Sequence, residues 1–283
     1  MAADASAFEL GNSAKANFDD IYNAPDPRAY YTTLGRLDYQ IPSQAKPVFQ
    51  AVMQSMERER LTVLDIGCSY GVNAAMLRYD LDFAHLVHRY DRPAMEERSV
   101  AEVIVRDAET FAAMPERTDA TFIGLDVAAE AAGYAKAVGL IEEAVVANLE
   151  ESSLPEDAAA RIAGADLIIT TGAIGYVTEQ TFEKILDAAG ATPPWVAAFT
   201  LRQFPFDAIA DTLARRGLVA ERLEHRQFPQ RRFRDDEERE GAIAAIRAAG
   251  RDPEGIETTG GYFSEFYLAA PSGRSSPLAR LAL

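Results

Sequence analysis

The sequence predicts a single α/β domain on a mainly parallel, doubly wound sheet, and three observations predict it. Seven apolar runs of strand length recur along the chain, at 61–66, 121–125, 144–147, 166–170, 195–201, 218–223 and 262–269. Helical patterns fill the gaps. An alanine-rich stretch over 128–138 ends at Gly139, another pattern over 178–189 ends at Gly190, and Phe206, Ile209, Ala210 and Leu213 form a stripe that stops near Gly217, where glycine suits a left-handed helix end. The first run meets the loop Gly67-Cys68-Ser69-Tyr70-Gly71, after which Val72, Ala75, Met76 and Tyr79 recur at helical spacing. Strands alternating with helices at this interval build a parallel sheet covered on both faces.

Composition bounds the setting. A chain of 283 residues, 48% hydrophobic and 25% charged, can bury a full core. No stretch approaches the roughly 18 uncharged apolar residues of a membrane span, and the first residues carry acids where a signal peptide would be basic and apolar. A cytoplasmic location and no membrane partner are therefore expected. One cysteine, Cys68, excludes an internal disulfide and a zinc site built from several thiolates. The formal charge of −16 repels phosphate backbones. The densest basic cluster, Arg231, Arg232 and Arg234, runs into Asp235, Asp236, Glu237 and Glu238, so it reads as a solvated charged face and no nucleic acid is expected as a partner.

Residues 1–58 show no strand pattern, several aromatics and prolines at 25, 27, 42 and 47, which reads as short helices broken by turns and hence an N-terminal helical cap or lid. The α/β domain is expected over 59–271, with insertions at about 80–118 and 228–260, the latter helical around 242–249. Residues 272–283 read as a mobile tail.

The chemistry concentrates at strand ends. A glycine directly after a strand lets a ligand approach the backbone, and the next helix start offers unpaired N–H groups, so the segment from Asp65 to Gly71 suits a nucleotide-like ligand. The second run ends on Asp126, placed to accept hydrogen bonds from ribose hydroxyls; the simpler alternative is that Asp126 only caps the following helix. The third run leads to Asn148 and Leu149, where a polar amide can face an adenine edge, and the fourth ends in the polar loop Thr170-Thr171-Gly172.

In this order, from about residue 61 to 201, the chain resembles the class I, Rossmann-like S-adenosylmethionine-dependent methyltransferases. The resemblance implies a seven-stranded sheet with an antiparallel last strand and S-adenosyl-L-methionine as cofactor. Asp65, Gly67, Cys68, Ser69, Gly71 and Asn73 would then hold the methionine part; Asp126 and Val127 the ribose; Asn148 and Leu149 the adenine; and Thr170, Thr171 and Gly172 would meet the transferred methyl. Two departures are Ser69 in place of the middle glycine and Asn148 in place of an aspartate, which still supplies an acceptor. The ribose acid is unusually distant from Asp65, and Asp91 is a rival. Asp126 is preferred because it leaves seven strands in order.

Methyl transfer from a sulfonium needs alignment of nucleophile, methyl and sulfur, and sometimes a base. If a base is used, His225 after the sixth strand is the best-placed histidine, and Tyr176 is a candidate wall of the substrate pocket. Tyr30, Tyr31 and Tyr39 in the cap either stack on the ligand or hydrogen-bond its carboxylate, or else pack on the core. His85, His88 and Asp91 lack a fuller ligand signature, so no metal is assigned. The expected activity is methylation of a small-molecule acceptor. Alternatives are a cyclase or lyase using the same cofactor, or a non-catalytic binding module; the acceptor and the oligomeric state, a homodimer included, stay open.

Overall fold

The computed structural model describes residues 19–271 and 278–281, so most of the expected tail and the first part of the cap lie outside the described residues. Three helices come first: α1 (Asp19–Tyr22), α2 (Arg28–Arg36) and α3 (Ile41–Ser55). They are followed by β1 (Thr62–Ile66), α4 (Val72–Arg78), α5 (Phe83–Tyr90), α6 (Pro93–Glu96), α7 (Val100–Ala112), β2 (Thr121–Asp126), α8 (Ala129–Ala137) and β3 (Glu143–Val146). The second half runs α9 (Glu156–Ile162), β4 (Leu167–Thr171), α10 (Glu179–Ala189), β5 (Trp195–Leu201), α11 (Asp207–Arg215), β6 (Leu218–Arg222), β7 (Phe228–Arg232), α12 (Asp236–Ala248) and β8 (Gly261–Pro271).

The sheet order is β3-β2-β1-β4-β5-β8-β6, with β7 also paired to β8. Neighbours from β3 to β5 are parallel, and β8 is antiparallel to β5, β6 and β7. This is the doubly wound arrangement with an antiparallel last strand that the sequence and the resemblance imply. The count is eight, not seven, because the expected insertion at 228–260 opens with β7.

Alternation along the strands explains why both faces are covered. Leu64 and Ile66 enter the core under α9, α10 and α11, whereas Val63 enters the opposite core with α3, α4 and α8. Ile168 and Ala198 face the first side; Leu167, Ile169 and Phe199 face the second. Strands buried on both faces carry near-continuous apolar runs, which is the pattern legible in the sequence.

The expected insertion at 80–118 is helical throughout its elements α5 to α7, and this separates the two acids. Asp91 follows the last turn of helix α5 and is exposed, whereas Asp126 ends β2. The insertion, α8 and the cap share a third core built from aromatics. At its centre Asp107, fully buried, accepts from the Tyr134 hydroxyl at 2.7 Å and the Tyr90 hydroxyl at 3.0 Å, and pairs with Arg89. Satisfying a buried carboxylate from three sides is what permits it there. Arg28 ties α2 to the same region by donating to the Met95 and Arg98 carbonyls at 2.8 and 2.9 Å.

Two other expectations are corrected. The helix expected around 242–249 begins earlier, with Asp235 accepting from the Glu238 amide at 2.9 Å as its N-terminal cap. The charged cluster is not wholly solvated: Arg231 and Glu238 are buried and form a two-pronged pair at 2.6 and 2.9 Å, while Arg232, Arg234, Asp235, Asp236 and Glu237 are exposed. A run of charges does not reveal which members the packing turns inward.

Candidate functional site

A cleft of about 260 Å³ opens at the carboxyl ends of β1, β2, β3 and β4, where ligands bind in open α/β sheets. Its floor is the β1–α4 loop. Gly67 has φ +73°, and a Cβ there would lie 2.7 Å from the Ala173 side chain, so the loop requires glycine both for its backbone and for the close approach of the loop after β4. Ser69 takes up a positive φ of 49° without being glycine; its amide donates to Asp126 Oδ2 at 2.8 Å, which fixes the turn.

Asp126 also accepts from the Ala128 amide at 2.9 Å through Oδ1. It therefore caps the turn into α8 and lines the cleft at the same time. Each carboxylate oxygen has two acceptor directions, so these bonds leave acceptor capacity on the cleft side. Burial pushes its carboxyl upward, opposed by the backbone N–H groups it accepts.

Beneath the floor, Asp65 is fully buried and is not itself a wall of the cleft. It acts through Asn73, whose amide donates to Asp65 Oδ1 and to Thr171 Oγ1, each at 3.1 Å. Asp65 Oδ2 and Ser69 Oγ are buried and have no hydrogen-bond partner among the described residues. Burial pushes the Asp65 carboxyl up to about 7, against the lowering bond from Asn73 and with a further rise from Asp126.

The two residues read from the sequence as adenine-edge candidates both line the cleft. Asn148 and Leu149 line the cleft with Val127, and Asn148 Oδ1 accepts from the Glu150 amide at 3.1 Å. Glu150 in turn accepts from the Thr178 amide at 2.9 Å and the Thr178 and Thr181 hydroxyls at 2.6 Å each, joining the β3 loop to the start of α10.

Of the residues the sequence singled out, the cleft brings together Tyr30, Gly67, Cys68, Ser69, Asn73, Asp126, Val127, Asn148, Leu149, Thr171, Gly172 and Tyr176. Cys68 is buried, and burial pushes its thiol well above the ordinary value, which removes it as a nucleophile. The remaining candidates stand elsewhere. Tyr31 is a core residue, stacked on Tyr90 with centroids 4.8 Å apart. Thr170 faces inward and donates to the Ile66 carbonyl at 2.9 Å. Gly71 takes φ +74° and packs against Ala135 and Leu140, so it shapes the start of α4.

His225 is the largest displacement. It is exposed in the turn between β6 and β7, at φ +62°. It does not line the cleft. His85 completes the cap of α5: its backbone N–H donates to Asp82 Oδ1 at 2.8 Å and its Nδ1 accepts from the Asp82 amide at 3.3 Å.

Tyr39 of the cap, a candidate from the sequence, also lines the cleft, but sequence reasoning missed its neighbours Tyr22 and Pro42 from the cap and Gln230 and Arg231 from β7. Backbone bonds join the two parts, Gln40 N donating to the Gln230 carbonyl at 2.7 Å and Arg232 N to the Leu37 carbonyl at 2.8 Å. Cap and β7 thus form one wall opposite the glycine loop.

No family model matches the chain, and no curated protein matches it. Solved structures do resemble it. One is a TehB-like S-adenosylmethionine-dependent methyltransferase from Corynebacterium glutamicum, 15% identical, over 76% of this chain and 84% of that one, with a TM-score of 0.37. A magnesium protoporphyrin IX methyltransferase from Synechocystis is 12% identical over 95% of this chain and 93% of that one, with a TM-score of 0.41. The cyclase SpnF is 12% identical over 82% of each chain, also at 0.41. Likeness at this level concerns the general chain path, and the functional reading rests on the cleft.

Proposed function

We propose that the chain binds S-adenosyl-L-methionine in this cleft and transfers its methyl group to a small-molecule acceptor. The observation that carries the reading is the meeting, in one cleft, of the Gly67 loop after β1 with an acid that ends β2 and is hydrogen-bonded to that loop. The residues fit the cofactor. Ser69, which lines the cleft, carries a buried Oγ with no hydrogen-bond partner among the described residues, and Asp65 Oδ2 beneath the glycine loop likewise has none among them. Buried groups of this kind call for a ligand or water to complete their bonding.

In this reading Cys68, Ser69 and Asn73 surround the methionine part, Asp126 and Val127 meet the ribose, Asn148 and Leu149 border the adenine, and Thr171 and Gly172 lie where the methyl is presented. Residues 59–271 form the cofactor domain, and residues 1–58 serve as its cap on the acceptor side. The cofactor, when bound, supplies an electrophilic methyl on a positively charged sulfur. The chain's own task is to align the acceptor and keep water out. Among the described residues lining the cleft there is no histidine or lysine, so alignment rather than a dedicated nitrogen base is the main contribution. Two alternative uses of the cleft, cleavage of another sulfonium bond and binding without turnover, give different products.

Incubation with S-adenosylmethionine and a fractionated small-metabolite extract, followed by mass spectrometry, tests this reading. S-adenosylhomocysteine with a methylated metabolite is the expected result. Methylthioadenosine would show cleavage elsewhere on the sulfonium, and cofactor binding with neither product would leave a binding module.

A further inference from the structure

We propose, resting on the methyltransferase reading, that Gln230 is the residue that positions the acceptor, and that the acceptor is a small planar molecule presenting a carbonyl or carboxylate oxygen. The carrying feature is a β-bulge. Along β7, Phe228 pairs with Ser264, Pro229 with Phe263, and Arg231 with Tyr262, so Gln230 is the extra residue. In a regular strand adjacent side chains face opposite sides, but here Gln230 and Arg231 both line the cleft. The bulge turns two consecutive side chains to one purpose.

Gln230 is 4% exposed and held by two hydrogen bonds. Its carbonyl accepts from Gln40, its Oε1 accepts from the buried Ser264 hydroxyl at 2.8 Å, and its Nε2 lies 3.0 Å from where a Cβ on Gly172 would stand. Because Ser264 donates to Oε1, the amide N–H pair is the end presented at Gly172. A side chain buried to this extent, with its donors turned into a cavity at the end of β4, is built to hold an oxygen there.

The rest of the wall agrees. The Arg231 charge is offset by Glu238 at 2.6 Å, so recognition relies on directed donors more than on net charge. Tyr22 and Tyr176, 37% and 59% exposed, flank the cleft with aromatic faces, which suit a planar conjugated acceptor. An amine, which needs an acceptor opposite it, is disfavoured at this position.

The test uses the full-length protein saturated with S-adenosylhomocysteine, and benzoate, benzamide and benzylamine as probes. In protein labelled with ¹⁵N-glutamine, benzoate and benzamide are expected to shift the Gln230 side-chain amide pair, identified by its loss in Gln230→Glu. Gln230→Glu exchanges donors for acceptors: benzoate should bind roughly tenfold or more weakly and benzylamine more tightly. An amide pair unmoved by both oxygen-bearing probes, equal benzoate affinity in the variant, or a larger shift with benzylamine in the unmodified protein would overturn the proposal. The labelled unmodified protein decides the matter even where the variant does not fold. If S-adenosylhomocysteine does not bind, the methyltransferase reading fails by itself, and the probes are then titrated without it to read Gln230 separately.

Discussion

The two halves of the cleft are built in different ways. The half beneath β1 to β4 is made of residues at the carboxyl ends of parallel strands: Gly67, Asp126, Asn148 and Thr171 each follow an apolar run and are placed by the sheet itself. The half formed by the cap and β7 has no such rule. It depends on an eighth strand that pairs only with β8, on a bulge within that strand, and on backbone bonds from residues 37–40. Ligand-binding geometry in the first half follows from topology, whereas in the second it follows from non-local pairings that a different loop sequence would redirect.

That contrast gives its largest expected effect in the second half. Arg231→Met leaves Glu238, itself 3% exposed, without its guanidinium partner, and breaking a buried pair from one side costs about 3–5 kcal/mol. Urea denaturation should show that loss, and Glu238→Gln added to Arg231→Met should recover much of it. A loss below about 1 kcal/mol would place the pair among surface contacts and remove the fixed wall on which β7 depends.

In the first half the expected effect is smaller and has a pH signature. Asp65 titrates near 7 in the folded protein against 3.8 ordinarily. Between those values the folded state holds a proton that the unfolded chain has given up, so this group's contribution to stability falls as pH rises through the window and is level above it. Asp65→Asn removes that fall while keeping an oxygen for the Asn73 amide. The melting temperature of the variant relative to the unmodified protein should therefore climb from pH 4 to about pH 7 and then stay level. A difference independent of pH would mean that Asp65 is ionised throughout, with a partner for Oδ2.

The same division marks what could be read from the sequence. Strands β1, β2, β4 and β5 announce themselves because both faces are buried and the apolar runs are nearly continuous, and Asp126 stands out as an acid closing one of them. The long gap before it is filled by α5 to α7, which are helices and supply no rival strand. β7 does not announce itself: Phe228-Pro229-Gln230-Arg231-Arg232 has one large apolar residue and a proline, and its strand character comes from β8. Arg231 and Glu238 look like neighbouring solvated charges, and only the packing of α12 turns both inward. His225 illustrates the converse, a residue correctly placed beyond a strand but exposed in the turn between β6 and β7, where it does not line the cleft. Tyr30 and Tyr31 are adjacent and alike, yet helix geometry sends one to the cleft and the other to a stack on Tyr90.

Calorimetric titration of the unmodified protein, Asp126→Ala and Asp91→Ala with S-adenosylhomocysteine puts the ribose assignment to the test. One-to-one binding by the unmodified protein is expected, with affinity lowered by about 1–3 kcal/mol in Asp126→Ala, the scale of lost hydrogen bonds to a carboxylate. No change is expected in Asp91→Ala, whose residue lies exposed after α5. Absence of binding by the unmodified protein, or full affinity in Asp126→Ala with a large loss in Asp91→Ala, would contradict the assignment.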